Sequence, residues 1–393
     1  KRTEPSEERP YEREGVTCVS KKKTPQTRED VLDLAIEDIR SKFGEGAIMR
    51  LGESYKAAVE VIPTGILPLG VALGIGGLPK GRIVEIFGPE GSGKTTVALH
   101  AIAEAQKAGG VAAFIDAEHA LDPRLAANLG VDIQSLYIAQ PDSGEQALYV
   151  LDTLVRSSAV DIVVVDSVAA LTPQAEIDGK MIGESQVGLQ ARLMSYALRR
   201  LTSAISKSNC VVVFINQLRA KISTGYSPMG PQETTTGGRA LKFYSSVRIE
   251  VRRGKSIMKG EEHQGHELWM KVVKNKQSPP FKTGHASLMY GKGIPKGMSI
   301  VDMAIDYNIL KRKGSWLSYK GETLAQGKDS VAQYIEEHPE LMQEIVTEVL
   351  AATSSDLALG LSEPPSVELE EGEEAPTLSI EEGILELDDE EEK

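Results

Sequence analysis

Residues 88–95 read Gly-Pro-Glu-Gly-Ser-Gly-Lys-Thr, and no other stretch of this chain limits its fold so tightly. The run before them, Arg82-Ile83-Val84-Glu85-Ile86-Phe87, is apolar and β-branched and predicts a buried strand. The run after them, residues 95–103, predicts a helix. Strand, glycine-rich turn and helix in that order form a phosphate-binding loop. Gly88, Gly91 and Gly93 let the backbone curl so that several N–H groups face one anion, and Pro89, Glu90 and Ser92 fill the turn. Lys94 is placed to reach the β- and γ-phosphates, and the Thr95 hydroxyl to ligate Mg²⁺. Thr96 sits in the first helical turn, where the partial positive charge of the helix N-terminus supports the phosphates.

The surrounding pattern repeats the theme. Strands are predicted at 83–87, 111–116, 161–166 and 211–216, with helices between them, including 145–156 and 189–206. Ile162-Val163-Val164-Val165 is continuously apolar, as in a parallel strand covered on both faces. The fold class is therefore α/β, a mostly parallel sheet of right-handed βαβ units. Residues 247–252 and 268–274 have no long helix between them, which predicts an antiparallel end to the sheet. Thr27 and Asp30 have capping-box spacing ahead of Leu32, Ile36, Ile39 and Phe43, and Gly44 stops that helix. The expected organisation is a disordered extension at 1–26, an N-terminal helix within 27–60, and a nucleotide-binding core at 61–295. A small α+β domain with short helices around Trp316 and Tyr319 follows at 296–356, then a disordered tail at 357–393.

Ligands of such sheets bind at the carboxyl ends of the strands. Asp166 ends one strand and fits the acidic residue that holds Mg²⁺, often through water. Glu118, just past the strand that ends at Asp116, can take a proton from the attacking water or orient it. Gln217 ends a third strand, where it can sense the γ-phosphate and pass its state to the segment 218–238. That segment is long and glycine- and proline-rich, which marks a functional loop. It is flanked by Arg219, Lys221 and Arg239, a set suited to phosphodiester contacts. A second loop, 176–186, leads into a helix carrying Arg192, Arg199 and Arg200.

Charge is unevenly placed. The net charge is −13, and residues 363–393 alone hold fourteen Asp and Glu against one Lys. The rest of the chain has 43 basic and 43 acidic residues, so a neutral body carries an acidic tail that competes with nucleic acid for basic surface. Cys18 and Cys210 give no disulfide framework, no apolar run reaches membrane length, and the N-terminus reads unlike a secretory signal. A cytoplasmic protein without a membrane partner is expected.

Seven stretches together resemble the bacterial RecA recombinases. They are Gly-Pro-Glu-Gly-Ser-Gly-Lys-Thr-Thr at 88–96, Phe-Ile-Asp-Ala-Glu-His-Ala-Leu-Asp-Pro at 114–123 and Val-Val-Asp-Ser-Val-Ala-Ala-Leu-Thr-Pro at 164–173. Phe-Ile-Asn-Gln at 214–217, Glu-Thr-Thr-Thr-Gly-Gly at 233–238, Ala-Leu-Lys-Phe-Tyr at 240–244 and Val-Val-Lys-Asn-Lys at 272–276 complete the set. The resemblance implies an ATP-driven homo-oligomeric filament on single-stranded DNA that pairs it with homologous double-stranded DNA and stimulates self-cleavage of the SOS repressor. It implies catalysis by Glu118, with Lys94 on the phosphates and Thr95 and Asp166 on Mg²⁺. Gln217 would couple the γ-phosphate to the DNA loop. Lys274 and Lys276 would reach the ATP of an adjacent subunit, and Phe243 would contact that subunit. Asp122 and Tyr290 would flank adenine. Arg192, Arg199, Gly237 and Gly238 would touch single-stranded DNA, and Arg312 and Lys328 would gather duplex. The chain departs from the family's pattern at Leu125, where an aromatic is usual, at Gly70 and Arg239, and in longer DNA loops.

Other readings compete with this one. A hexameric helicase on the same core would not need the helix at the N-terminus. A regulatory ATP switch would not need Glu118 together with Lys274 and Lys276. A small-molecule kinase would carry a lid domain, and none is evident.

Overall fold

The structure, a computed structural model, describes residues 27–48, 59–179, 188–220 and 233–359. The expectations for 1–26, Lys221 and the acidic tail from 360 lie outside those residues. The described residues fall into two units, one before and one after the 58/59 boundary. In the first, helix α1 (Arg28–Phe43) opens on a capping box, Asp30 N donating to Thr27 Oγ1 at 3.1 Å and Thr27 N to Asp30 Oδ2 at 3.0 Å. Gly44, at φ 94°, closes it. No residue of α1 is buried, and Phe43 is 76% exposed.

The second unit runs β1 (Val61–Pro63), α2 (Leu67–Leu73), β2 (Gly77–Pro79), β3 (Ile83–Gly88), α3 (Lys94–Lys107), β4 (Ala112–Asp116), α4 (Pro123–Asn128) and β5 (Tyr137–Ala139). It continues through α5 (Gly144–Arg156), β6 (Ile162–Asp166), α6 (Gln174–Ile177), α7 (Leu189–Ser208), β7 (Val211–Ala220), β8 (Glu233–Thr235) and α8 (Ala240–Tyr244). Then come β9 (Val247–Lys259), β10 (Glu262–Asn275), β11 (Thr283–Met289), α9 (Lys296–Asp306), β12 (Leu310–Lys313), β13 (Trp316–Tyr319), β14 (Glu322–Gln326), α10 (Lys328–Glu337) and α11 (Pro339–Leu359). The main sheet has the order β11-β10-β9-β3-β7-β6-β4-β5, with β8 paired to β7. Strands β9, β3, β7, β6, β4 and β5 are parallel, and β10 and β11 continue antiparallel at one end.

Alternation explains why β6 carries no polar face. Ile162 and Val164 pack into one apolar layer, with Val97, Leu99 and Ile102 of α3. Val163 and Val165 pack into the other, with Leu151 of α5 and Leu198 of α7. A strand sandwiched this way must be apolar at every position. The strand ends therefore hold the polar side chains, and they converge at one edge.

The small domain corrects one expectation. Trp316 and Tyr319 lie on β13, the middle strand of an antiparallel three-stranded sheet, and not among helices. Gly314 at φ 62°, and Lys320 and Gly321 at φ 47° and 94°, supply the two tight turns that make hairpins of this segment. Leu317 and Tyr319 face a core of Val331, Ile335 and Ile345, and Leu67 and Val71 of α2 pack against it from the main unit. Helix α11 reaches Leu359, three residues beyond the expected domain end at 356.

One half-buried histidine ties the phosphate-loop helix to the turn after β11. His100 Nε2 on α3 accepts the Ile294 N–H at 3.1 Å. Burial, aided by the Lys107 cation, pushes its pKa down to about 4 from 6.5. Between those values the unfolded chain takes up a proton that the folded chain refuses, so stability falls as pH falls. At about 1.4 kcal/mol per unit, acidification from pH 6.5 to 5 is expected to cost about 2 kcal/mol through this group. His100→Gln retains an acceptor and should lose this part of the acid sensitivity. Urea unfolding of both proteins at pH 7 and pH 5 checks it, and equal losses would exonerate His100.

Candidate nucleotide and nucleic-acid site

Strand β3 runs straight into the glycine turn, and Gly93, at φ 91°, caps α3 in the left-handed region. A Cβ there would lie 2.7 Å from Leu288 Cδ1, so the turn sits hard against β11. The turn is built for an anion. Ser92 Oγ is buried without a hydrogen-bond partner, and Lys94, 8% exposed, has its ammonium 2.7 Å from the Pro89 carbonyl. Burial lowers the Lys94 pKa, and the Asp166, Glu118 and Glu90 carboxylates oppose that shift. Thr95 Oγ1 donates to Asp166 Oδ2 at 2.7 Å. Burial, with help from the Glu118 and Asp116 charges, raises the Asp166 pKa to about 6 against the Thr95 bond and Lys94. A hydroxyl and a carboxylate side by side are hard oxygen donors of the kind Mg²⁺ takes alongside phosphates. The cradle and the donor set therefore fit a Mg²⁺–nucleoside triphosphate.

Glu118 is presented by a folded-back loop. Asp116, 2% exposed, accepts from Ala120 N and Leu121 N at 3.1 and 3.2 Å, while Ala117 N and Glu118 N donate to the Asp166 carbonyl. Glu118 Oε1 takes two donors, the Ser167 hydroxyl and Gln217 Nε2, the latter at 3.0 Å. Asp166–Ser167 is a cis peptide. The sequence reading missed Ser167, although it follows the Asp166 that closes β6. Strand ends β4, β6 and β7, far apart in sequence, thus meet at one carboxylate.

Asp122, expected beside adenine, caps α4 by accepting Arg124 N at 2.8 Å. Asn128 of α4 donates to the Gly291 carbonyl at 3.0 Å, holding that helix against the turn that carries Tyr290. Tyr290 is 46% exposed, and Leu125 packs on the core beside Leu121.

Beyond Gln217, β7 continues to Arg219, which is exposed, and pairs with β8. Gly237 and Gly238 follow, both in the left-handed region; a Cβ on either would strike Val168 or Ala191 at 2.8 and 2.7 Å. A cavity of about 370 Å³ lies here, lined by Pro173, Ala191, Arg219, Gly237 and Gly238 among others. Arg192 and Arg199, seven residues apart on α7, are exposed, as is Arg239. Arg200 is instead paired with Asp152 at 2.9 Å. Phe243, 70% exposed, sits on α8, and the Lys274 ammonium donates to the Lys242 and Phe243 carbonyls at 2.5 and 3.2 Å. Lys276 is exposed beside it. In the small domain, Arg312 is exposed on β12, while Lys328 is bonded to Asp302 at 2.7 Å. Among the described residues no helix is long and apolar enough to cross a membrane.

Comparison with known proteins agrees with this geometry. Residues 30–295 match the RecA N-terminal domain and residues 298–354 the RecA C-terminal domain. The chain is 57% identical to Protein RecA of Staphylococcus carnosus over 318 residues, 81% of this chain and 88% of that protein. It is 57% identical to Protein RecA of Heliobacterium modesticaldum, covering 82% and 93%. Against Protein RecA of Thermosynechococcus vestitus it is 56% identical, covering 89% and 97%. With both domains matched in order and the nucleotide site assembled, this chain belongs to the RecA family, DNA-dependent ATPases of homologous recombination and DNA repair.

Proposed function

We propose that hydrolysis at this site is performed by Glu118 and is licensed by DNA through Gln217. The observation that carries the reading is the Gln217–Glu118 bond, which joins the expected base to the strand leading into the 218–238 loop. Lys94 and the loop N–H groups hold the triphosphate, Thr95 and Asp166 hold Mg²⁺, and Asp122 and Tyr290 hold adenine. When bound, the ion neutralises charge on the β- and γ-oxygens. Glu118 accepts the proton of the attacking water. Lys274 and Lys276 act on the ATP of a neighbouring protomer, so turnover follows assembly, with Phe243 at the contact. Arg192, Arg199, Arg219, Lys221, Gly237, Gly238 and Arg239 hold single-stranded DNA. Arg312 receives duplex directly, and Lys328 does so once it leaves Asp302. The filament works in the cytoplasm and stimulates self-cleavage of the SOS repressor. Electron microscopy with single-stranded DNA and a slowly hydrolysed ATP analogue tests the assembly. A continuous helical filament supports it, and closed rings would favour the helicase reading.

The acidic tail enters here. Its charge of −13 opposes the approach of DNA phosphates, and tethering keeps it concentrated near the small domain. Truncation after residue 362 should tighten duplex binding, with a gap that closes as salt rises, since exposed charges are screened over about 10 Å at 0.1 M. Duplex titrations of both proteins at several salt concentrations check it. Equal affinity at low salt would leave the tail no role in DNA access.

A further inference from the structure

The sheet carries one polar row through an otherwise apolar layer. On four neighbouring strands, β7, β3, β9 and β10, stand Asn216, Glu85, Arg248 and Lys274 in turn. Glu85 and Asn216 are fully buried. Asn216 Nδ2 donates to Glu85 Oε1 at 3.0 Å, and Arg248 Nε donates to Glu85 Oε2 at 2.6 Å. Arg248 lies directly across from Glu85 on one side and from Lys274 on the other. Its guanidinium also stacks 4.4 Å over the Phe87 ring, which fixes its plane.

Both ends of the row grip one segment. At the first, the Thr236 hydroxyl donates to Asn216 Oδ1 at 2.5 Å, and Asn216 Nδ2 donates to the Thr236 carbonyl at 3.1 Å. At the second, the Lys274 ammonium caps the carbonyls of Lys242 and Phe243 at the end of α8. The segment from Thr236 to Phe243 therefore closes a ring: hydrogen bonds join Thr236, Asn216, Glu85 and Arg248, Arg248 and Lys274 stand as like charges directly across from each other on β9 and β10, and Lys274 returns to α8. It contains Gly237, Gly238 and the exposed Phe243. A buried ion pair is weak evidence for stability, because apolar residues of similar volume serve as well or better. What such a pair does supply is a fixed geometry among its partners.

We propose that Glu85 is a positioning residue for DNA-coupled hydrolysis, holding the stem of the DNA loop and the Lys274 cation in one register. A shift of Thr236 when DNA fills the loop moves Asn216 against Glu85. Glu85 passes the shift through Arg248 to Lys274, without touching nucleotide or DNA itself. This second route, separate from Gln217, rests on the reading that the loop binds DNA and that Lys274 serves hydrolysis.

The test uses the full chain and compares Glu85→Gln with the double variant Glu85→Gln/Arg248→Gln. Unfolding midpoint, single-stranded DNA affinity, and kcat and KM for ATP with and without DNA are measured. Glu85→Gln is expected to lower DNA-stimulated kcat about tenfold with KM and DNA affinity within about threefold, the scale of one allosteric coupling. The double variant, which no longer leaves Arg248 unpaired, is expected to recover the midpoint and not the stimulation. Parent-like stimulation in a folded Glu85→Gln overturns the inference. So does stimulation that returns together with stability in the double variant, because Glu85 would then be structural only. A parent that ignores DNA would remove the underlying reading, a result distinct from either.

Discussion

Replacing Lys94 by alanine is expected to abolish ATP binding, whereas replacing Glu118 by glutamine is expected to leave ATP bound and stop its hydrolysis. The two side chains differ in what they meet. The Lys94 ammonium is buried in the loop and rests on the Pro89 carbonyl, the place where a phosphate oxygen competes for it. Removing one member of a desolvated charge pair costs about 2–5 kcal/mol, roughly 30- to 5,000-fold in affinity. No other cation lies in the eight-residue loop to compensate. Glu118 is exposed, stands beyond the loop, and is held through Oε1 by Ser167 and Gln217. Glutamine keeps its size but cannot take a proton, so turnover should fall by about 10²- to 10⁴-fold, the span of general-base catalysis. Binding of a fluorescent ATP analogue and steady-state hydrolysis separate the two outcomes. Near-parental hydrolysis in Glu118→Gln would take that residue out of the mechanism.

How much of this was legible beforehand depended on whether the signal was local. The phosphate loop, the capping box at Thr27 and the apolar run before Asp166 are local, because turn geometry and burial on both faces dictate residue type position by position. The ring of Asn216, Glu85 and Arg248 was not legible. Glu85 is one acidic residue within an apolar strand, and its partners lie 131 and 163 positions away. Only the parallel register of β7, β3 and β9 makes them neighbours. Trp316 and Tyr319 were misplaced for a related reason. Two short hairpins of four- and five-residue strands give too few periods to distinguish from short helices. Ser167 escaped notice because a serine after a strand is an ordinary helix cap until the carboxylate it serves is seen.

Gln217 offers the second large effect. Its side-chain amide donates to Glu118 Oε1 at 3.0 Å, and its backbone N–H donates to Asn216 Oδ1 at 2.9 Å. In this arrangement Gln217 occupies one oxygen of the carboxylate proposed to accept the proton. Engagement of the amide by a γ-phosphate would free that oxygen of Glu118 from Gln217, and the same movement would pull on Leu218 and Arg219, which follow it on β7 and lead into the proposed DNA loop. DNA on the loop and phosphate in the site therefore favour one position of Gln217, and each must strengthen the other. Gln217→Ala removes the amide and leaves Glu118 bonded to Ser167, so basal hydrolysis should survive while most of the DNA stimulation is lost. A coupling of 1–3 kcal/mol corresponds to roughly 5- to 150-fold. Hydrolysis measured against rising single-stranded DNA, alongside DNA affinity with and without a slowly hydrolysed ATP analogue, reports both directions of the linkage. The analogue should tighten DNA binding in the parent and do so much less in Gln217→Ala. A variant that responds to DNA as the parent does would show that the loop speaks to the site through other residues, and the ring through Glu85 would then be the first place to look.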